Sequence, residues 1–273
     1  MAKKCLFVSV LFVVMLSFAV SWAEPIKIAG SGGTIKVVTE LAKAYMEKNP
    51  GDVIEVKQES IEAKGGIMGA YKGDLDIGMA AQYLEGDQKK WALEVFEIAR
   101  TATIVAVNTD GVKIDNMKSQ QVCNIYEGKI KNWNALGGPD AQIMPFTRPD
   151  PDSTKVSVRN GMPCFADLKE IPEVLIMGKH KDMNNALLKN PYSIGFSDIE
   201  SVDLSNGKLK ALKLDGITPS IETVISGKWP LIKPFTLVVG KKKSETARKF
   251  IQFIKTPEAQ VIIKNNSAVP VKF

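Results

Sequence analysis

Apolar positions along this chain switch between two periods. Ile26-Lys27-Ile28-Ala29 alternates as a half-buried strand does and ends in Gly30-Ser31-Gly32-Gly33-Thr34. Apolar residues then recur at Ile35, Val38, Leu41, Ala42, Tyr45 and Met46, the 3.6-residue spacing of an amphipathic helix. Asn49-Pro50-Gly51 ends that helix. Val53 to Gln58 alternates again and predicts a second strand. Ser60 to Gly66 reads as a turn containing Lys64-Gly65-Gly66, Ile67 to Tyr71 opens a helix, and Leu75 to Ala80 is a short strand in which Asp76 stabilises a turn or caps a neighbour. Strand, turn and helix repeated in this way predict parallel strands joined by right-handed crossovers. Ligands of such sheets collect beyond the carboxyl ends of the strands, the edge on which both glycine turns fall.

Val95 to Asn108 is long enough to leave one sheet and enter another, and we expect it to be the first crossing between domains. Next come a helix near Lys118–Glu127, a turn at Gly128, and Trp133 as core. Ile143 to Thr147 is a strand that runs into Arg148-Pro149-Asp150-Pro151-Asp152-Ser153-Thr154-Lys155 and a helix. Asp150 before Pro151 predicts an N-cap with proline at N1 and Asp152 in the first turn. Tyr192 to Ser197 and Phe235 to Gly240 read as further strands. Ser244 caps a helix with a stripe of Ala247, Phe250, Ile251 and Ile254, and Thr256-Pro257-Glu258 starts the last one.

The first glycine turn carries the most suggestive chemistry. It directs free backbone N–H groups at one spot, and the helix dipole adds partial positive charge there. Ser31 and Thr34 add hydroxyls. The spacing fits neither a dinucleotide fingerprint nor a P-loop. An oxyanion site or a plain strand-to-helix turn capped by Thr34 both fit.

Composition narrows the picture. Lys3 and Lys4 precede an apolar run from Cys5 to Val20, then Ser21-Trp22-Ala23, which predicts a secretory leader (residues 1–23) cleaved after Ala23. We therefore expect a periplasmic protein. Without Lys3 and Lys4 the formal charge falls from +6 to +4. That excess suits anionic ligands but lacks the dense basic stripe of a nucleic-acid binder. Cys123 and Cys164 remain, either bridged or as two buried thiols. His180 is the one histidine, in a basic stretch that reads as an exposed loop. A histidine-rich metal site or a Ser-His-Asp triad thus has little to draw on. We expect a non-enzyme with no catalytic residues, no metal and no cofactor.

The chain resembles the phosphate-binding proteins of bacterial ABC importers, within the type II periplasmic binding protein fold. The likeness rests on Leu75-Asp76-Ile77-Gly78-Met79-Ala80, on Ile125 to Asn134 with Gly137-Gly138-Pro139-Asp140, on Ile194-Gly195-Phe196, and on Asp215 to Ser220 with Ser226 to Leu231. It implies an α/β protein of two lobes, each a mainly parallel sheet flanked by helices, joined by two hinge strands. We expect residues 24–103 and 216–273 to form lobe I and 104–215 lobe II. The ligand would be a small oxyanion, phosphate first, clamped between them, and the partners that anion and an importer permease. A monomer is expected.

The ligand loops depart from the resemblance more than the scaffold does. Gly30-Ser31 and Thr34 match. Where the family shows Gly-Ser-Gly-Thr-Gly, this chain has Glu62-Ala63-Lys64-Gly65-Gly66, and Ala81-Gln82 replaces Ser-Arg. In the third loop Arg148 and Thr154 match while Pro151-Asp152-Ser153 replaces Gly-Ser-Gly. The expected ligand set is Ser31, Gly33, Thr34, Lys64, Gly65, Gly66, Arg148, Ser153 and Thr154. Lys64 would act as a point charge and Arg148 as a two-pronged donor. Asp152 would cap a helix or accept a proton from a protonated oxyanion. The alternative is a periplasmic accessory or interaction protein that keeps the fold with an altered pocket.

Overall fold

The computed structural model describes residues 24–242 and 244–271, so the leader expected at residues 1–23 lies outside the described residues. The chain opens with β1 (Ile26–Gly30), α1 (Ile35–Lys48), β2 (Ile54–Val56), α2 (Glu62–Lys72), β3 (Ile77–Ala80) and the long β4 (Glu94–Asn108). It continues with β5 (Asn116–Met117), α3 (Ser119–Tyr126), β6 (Met144–Thr147), α4 (Ser153–Gly161), β7 (Leu175–Ile176), α5 (His180–Lys189), β8 (Ser193–Asp198) and α6 (Ile199–Asp203). Then follow β9 (Leu209–Ala211), β10 (Lys213–Leu214), α7 (Ile221–Ile225), β11 (Ile232–Val239), α8 (Glu245–Ile254), α9 (Pro257–Asn265) and β12 (Val269–Pro270).

The main sheet runs β2-β1-β3-β11-β4-β8-β6-β7, with β9 and β12 also pairing β4. β1 lies parallel to β2 and β3, and β6 lies parallel to β7 and β8, as the strand–turn–helix pattern requires. β4 is antiparallel to β11 up to Ala102 and to β8 from Thr103 to Val107. One strand therefore belongs to both halves, which agrees with its unusual length.

Each half has its own core. In the first, Val37, Val38 and Leu41 of α1 pack with Ile26, Ile28, Ile77, Phe250 and Ile254. The second holds Tyr126, Trp133, Phe146, Phe165 and Phe196, with Phe196 stacked on Tyr126 at 5.1 Å between ring centres. Val224, Trp229 and Leu231 also bury in this second core, and Trp229 Nε1 donates to the Thr103 carbonyl at 2.9 Å. Cys123 and Cys164 are joined in a disulfide that ties α3 to the turn after α4.

Two local expectations change. The stretch expected to be a turn up to Gly66 is helical from Glu62 onward. Gly66 serves close packing: a Cβ there would lie 2.6 Å from the Met79 carbonyl oxygen and 3.0 Å from that of Ala29. Only a residue without a side chain lets α2 lie this close to β1 and β3. The cap of α4 is Asp152, whose carboxylate accepts from the N–H groups of Thr154 and Lys155, whereas Asp150 precedes a cis Asp150–Pro151 bond. With Pro151 outside the helix, the capping role passes to the next carboxylate. No helix among the described residues is long and apolar enough to cross a membrane.

Candidate functional site

The carboxyl ends of three strands, β1 in the first half and the parallel pair β6 and β8 in the second, deliver polar residues. Ser31 follows β1, Arg148 follows β6, and Asp198 ends β8. β11 begins near the same place and contributes Lys233. These groups meet where the halves face each other.

Arg148 is 2% exposed, and both of its terminal nitrogens are held. Nη1 donates to the Met177 carbonyl at 2.7 Å; Nη2 donates to Asp152 Oδ2 at 2.9 Å and reaches Glu62 Oε2 at 3.5 Å. Its Nε is buried without a partner among the described residues. The other oxygen of Asp152 caps α4, accepting from Thr154 N at 2.9 Å. Burial raises the Asp152 pKa, but the Arg148 guanidinium, Lys233 and the cap hydrogen bond from Thr154 outweigh it and hold the carboxyl below its ordinary range.

Lys233, also 2% exposed, points its Nζ at Thr154 Oγ1 (3.4 Å) and at Asp198 Oδ2 (4.0 Å). Asp198 caps α6 through Oδ1, which accepts from Ser201 N at 3.0 Å and from the Ser201 hydroxyl at 2.6 Å. Its Oδ2 lies 3.3 Å from His180 Nε2. Burial raises the Asp198 pKa, but the neighbouring His180, Lys233 and Ser201 outweigh it and leave the carboxyl below its usual range. Gly33 faces this pair: a Cβ there would stand 3.6 Å from both Asp198 Oδ2 and Lys233 Nζ.

The residues expected from the sequence separate into two groups. Gly33, Arg148 and Thr154 come together in this cluster, with Ser31, Thr34 and Ser153 buried beside it. Ser31 Oγ accepts from Ala81 N at 3.0 Å, and the Thr34 hydroxyl donates to the Ser31 carbonyl at 2.7 Å, so both brace the turn. Lys64, Gly65 and Gly66 lie on α2. Lys64 is exposed and lines a cavity of about 550 Å³ together with Glu62, Gln82, Trp91, Asp152 and Ser153. Gly65 packs toward Ile61 and Gly66 toward the sheet. A second and larger cavity of about 940 Å³ opens on the other side, bordered by Gly32, Lys36, Ser60, Lys179 and His180.

Sequence reading missed Lys233, Asp198, Glu62 and His180. Lys233 left a faint signal, a lone charge between Ile232 and the apolar run Phe235 to Val239. Asp198 stands at the carboxyl end of a strand, where site residues belong. His180, expected in an exposed loop, opens α5 and turns toward the cluster. Among the described residues no group of three or more His, Cys, Asp or Glu is placed to hold a metal ion.

The surroundings of His180 set a pH response. Burial holds its pKa below 6.5, with Lys233 and Arg148 adding to the effect and Asp198 opposing it. A histidine whose folded pKa is depressed stabilises the fold above its unfolded pKa, and that stability declines as pH falls through 6.5. The melting temperature should therefore hold from pH 8 to 7 and slope downward below about 6.5, the unperturbed value for histidine. His180→Gln should flatten that slope and leave the acid fall below about pH 4, to which Asp152 and Asp198 contribute. An unchanged slope in the variant would rule out His180 as its source.

The family described as the PBP superfamily domain matches residues 21–258. The chain is 27% identical over 249 residues to the phosphate-binding protein PstS of Bacillus subtilis (strain 168), spanning 89% of this chain and 80% of that one. A substrate-binding protein from Clostridium perfringens, solved with bound phosphate, superposes with a TM-score of 0.82 at 27% identity, covering 91% of this chain and 100% of the other. An ABC-type phosphate transport receptor from Vibrio cholerae gives a TM-score of 0.69 at 26% identity, covering 89% and 99%. The chain belongs to the PBP superfamily and takes the type II periplasmic binding protein fold.

Proposed function

We propose that this protein binds a small oxyanion, phosphate first, between its two halves and delivers it to the permease of an ABC importer. The observation that carries this reading is the meeting of two buried cations, Arg148 and Lys233, with the glycine turn at Gly32-Gly33. Buried cations on opposite walls of a cleft favour an anion there, and closure around it excludes water. The ligand set is Ser31, Gly33, Thr34, Arg148, Ser153 and Thr154, extended by Lys233. Lys64, Gly65 and Gly66 take a supporting part through α2. The protein is a binder with no turnover, exported through its leader to the periplasm and acting as a monomer.

The lobes in this reading turn about β4 and β11. Burial of Val224, Trp229 and Leu231 with the second core favours a return crossing near Leu231 and Ile232, later in the chain than residue 216. Lobe I is then 24–102 with 232–271, and lobe II is 103–231.

Asp198 supplies the selectivity. Asp152 has both oxygens committed, to Arg148 and to the cap of α4. Asp198 Oδ2 makes no cap hydrogen bond and can accept the O–H of a protonated oxyanion, whereas sulfate presents only repelling charge. Thermal unfolding against phosphate, arsenate, sulfate and molybdate tests this. Phosphate at 100 times its dissociation constant should add about 2.7 kcal/mol, a rise of roughly 5–11 °C for a chain of this size. Sulfate should give no rise until Asp198→Asn removes the charge. A protein unmoved by every anion would sink the transport reading and leave the accessory-protein alternative.

A further inference from the structure

The closed cleft is already neutralised by the protein itself. Ion pairs join its two walls at Lys36–Glu200 (3.3 Å), Lys179–Glu59 (3.1 Å) and Arg148–Glu62 (3.5 Å). The lysines of the first two are more than two-fifths exposed, and pairs with so exposed a partner contribute little. The third differs because Arg148 is buried. Glu62 is also the first residue of α2 and carries φ +58°, in the left-handed region that side chains rarely adopt. Ser60 holds it there: the Ser60 hydroxyl donates to Glu62 Oε1 at 3.2 Å and accepts from Glu62 N at 3.2 Å. A strained backbone, a bracing serine and a carboxylate aimed across the cleft at a buried guanidinium are independent features that converge on one contact. The guanidinium in turn keeps an unpartnered buried Nε.

We propose that Glu62 is a specificity-determining residue: its carboxylate is a built-in counter-ion for Arg148 that an entering oxyanion has to displace. It lowers affinity most for ligands of high negative charge and holds the lobes together in their absence. This rests on the oxyanion reading above, since Arg148 is the anion's donor in both.

The order of events follows from the geometry. One N–H of Nη1 and one of Nη2 are fixed by Met177 and Asp152, which leaves the second N–H of Nη1, the Glu62-facing side of Nη2 and the unpartnered Nε as donors for a ligand. An anion arriving there meets Glu62 a few ångströms away. Two like charges at that distance, partly screened by water, change affinity by roughly tenfold.

Isothermal titration of inorganic phosphate into the mature protein and its Glu62→Gln and Glu62→Gly variants tests the idea, with small-angle scattering of each protein free of anion. Glu62→Gln keeps the shape and removes the charge, so phosphate should bind about tenfold tighter. Glu62→Gly also removes the backbone strain, so it should bind at least as tightly and melt no lower than wild type. Both variants should show a larger radius of gyration without ligand. Equal or weaker phosphate binding in Glu62→Gln, with wild type binding, overturns the proposal. If none of the three binds phosphate at millimolar concentration, the oxyanion reading fails. The scattering then decides for Glu62 alone: expansion in the variants supports the latch, and no expansion overturns it.

Discussion

Arg148→Ala is expected to abolish phosphate binding and to lower the melting temperature by roughly 10 °C. The binding loss follows from removing the guanidinium, among the described residues the one side chain of the cleft cluster able to donate two parallel hydrogen bonds to one oxyanion. Charge-assisted bonds contribute about 1.5–3 kcal/mol each, so losing two weakens affinity at least hundredfold. The stability loss has a different origin. Asp152 is almost fully buried and pairs with Arg148 at 2.9 Å. Removing one partner of a buried pair leaves an uncompensated charge, which costs about 3–5 kcal/mol, and each kcal/mol shifts a protein of this size by about 2–4 °C. Arg148→Lys separates the two effects. An ammonium still compensates Asp152, so most stability should return, but it cannot fork, so affinity should stay about tenfold or more below wild type. Wild-type phosphate affinity in both variants, by titration calorimetry, would remove Arg148 from the site.

Loss of the disulfide is expected to be about as damaging to the fold and much less so to binding. Cys123 and Cys164 are 41 residues apart, and closing a loop of that length restrains the unfolded chain by about 4 kcal/mol. The Cys123→Ala, Cys164→Ala double variant should melt roughly 8–16 °C lower. Alanine is the right replacement because Cys123 is fully buried, near Met162, where a hydroxyl would lack a partner. The bridge anchors the segment after α4 to α3, so it supports the helix whose first turn carries Ser153 and Thr154 from its far end. Phosphate affinity should therefore change by less than about threefold, under about 0.7 kcal/mol of redistribution at the helix start. A melting temperature within about 2 °C of wild type would show that the unfolded chain is not limited by this crosslink.

Much of the scaffold is legible in the sequence. The alternation at Ile26 to Ala29 and the helical stripe from Ile35 to Met46 appear as β1 and α1, and the long apolar run from Val95 to Asn108 appears as the strand shared by both halves. The terminal helices start where Ser244 and Thr256 place their caps. These features depend on neighbours a few positions apart, so period and capping chemistry suffice to find them. The departures are local too. A glycine pair after a strand suggested a turn, but Gly65 and Gly66 belong to α2, where the absent side chains allow contact with the sheet. That requirement comes from a partner strand and leaves no periodic trace.

The site was half visible. Arg148 and Thr154 stood out as a cation and a hydroxyl at a strand-to-helix turn, whereas Lys233 was not singled out. Nothing near it in sequence shows that it is buried, because Thr154 and Asp198, the groups that make burial tolerable, are brought in from elsewhere. Glu62 is separated from Arg148 by 86 positions. By itself the sequence determined the order of strands and helices, the edge on which polar turns collect, and the faces that bury. It could do so because hydrophobic period and backbone capping are local. Only the tertiary structure decided which charges face one another across the cleft. A charge is placed by the lowest-energy set of partners in three dimensions, and here those partners lie on opposite walls of the same cleft.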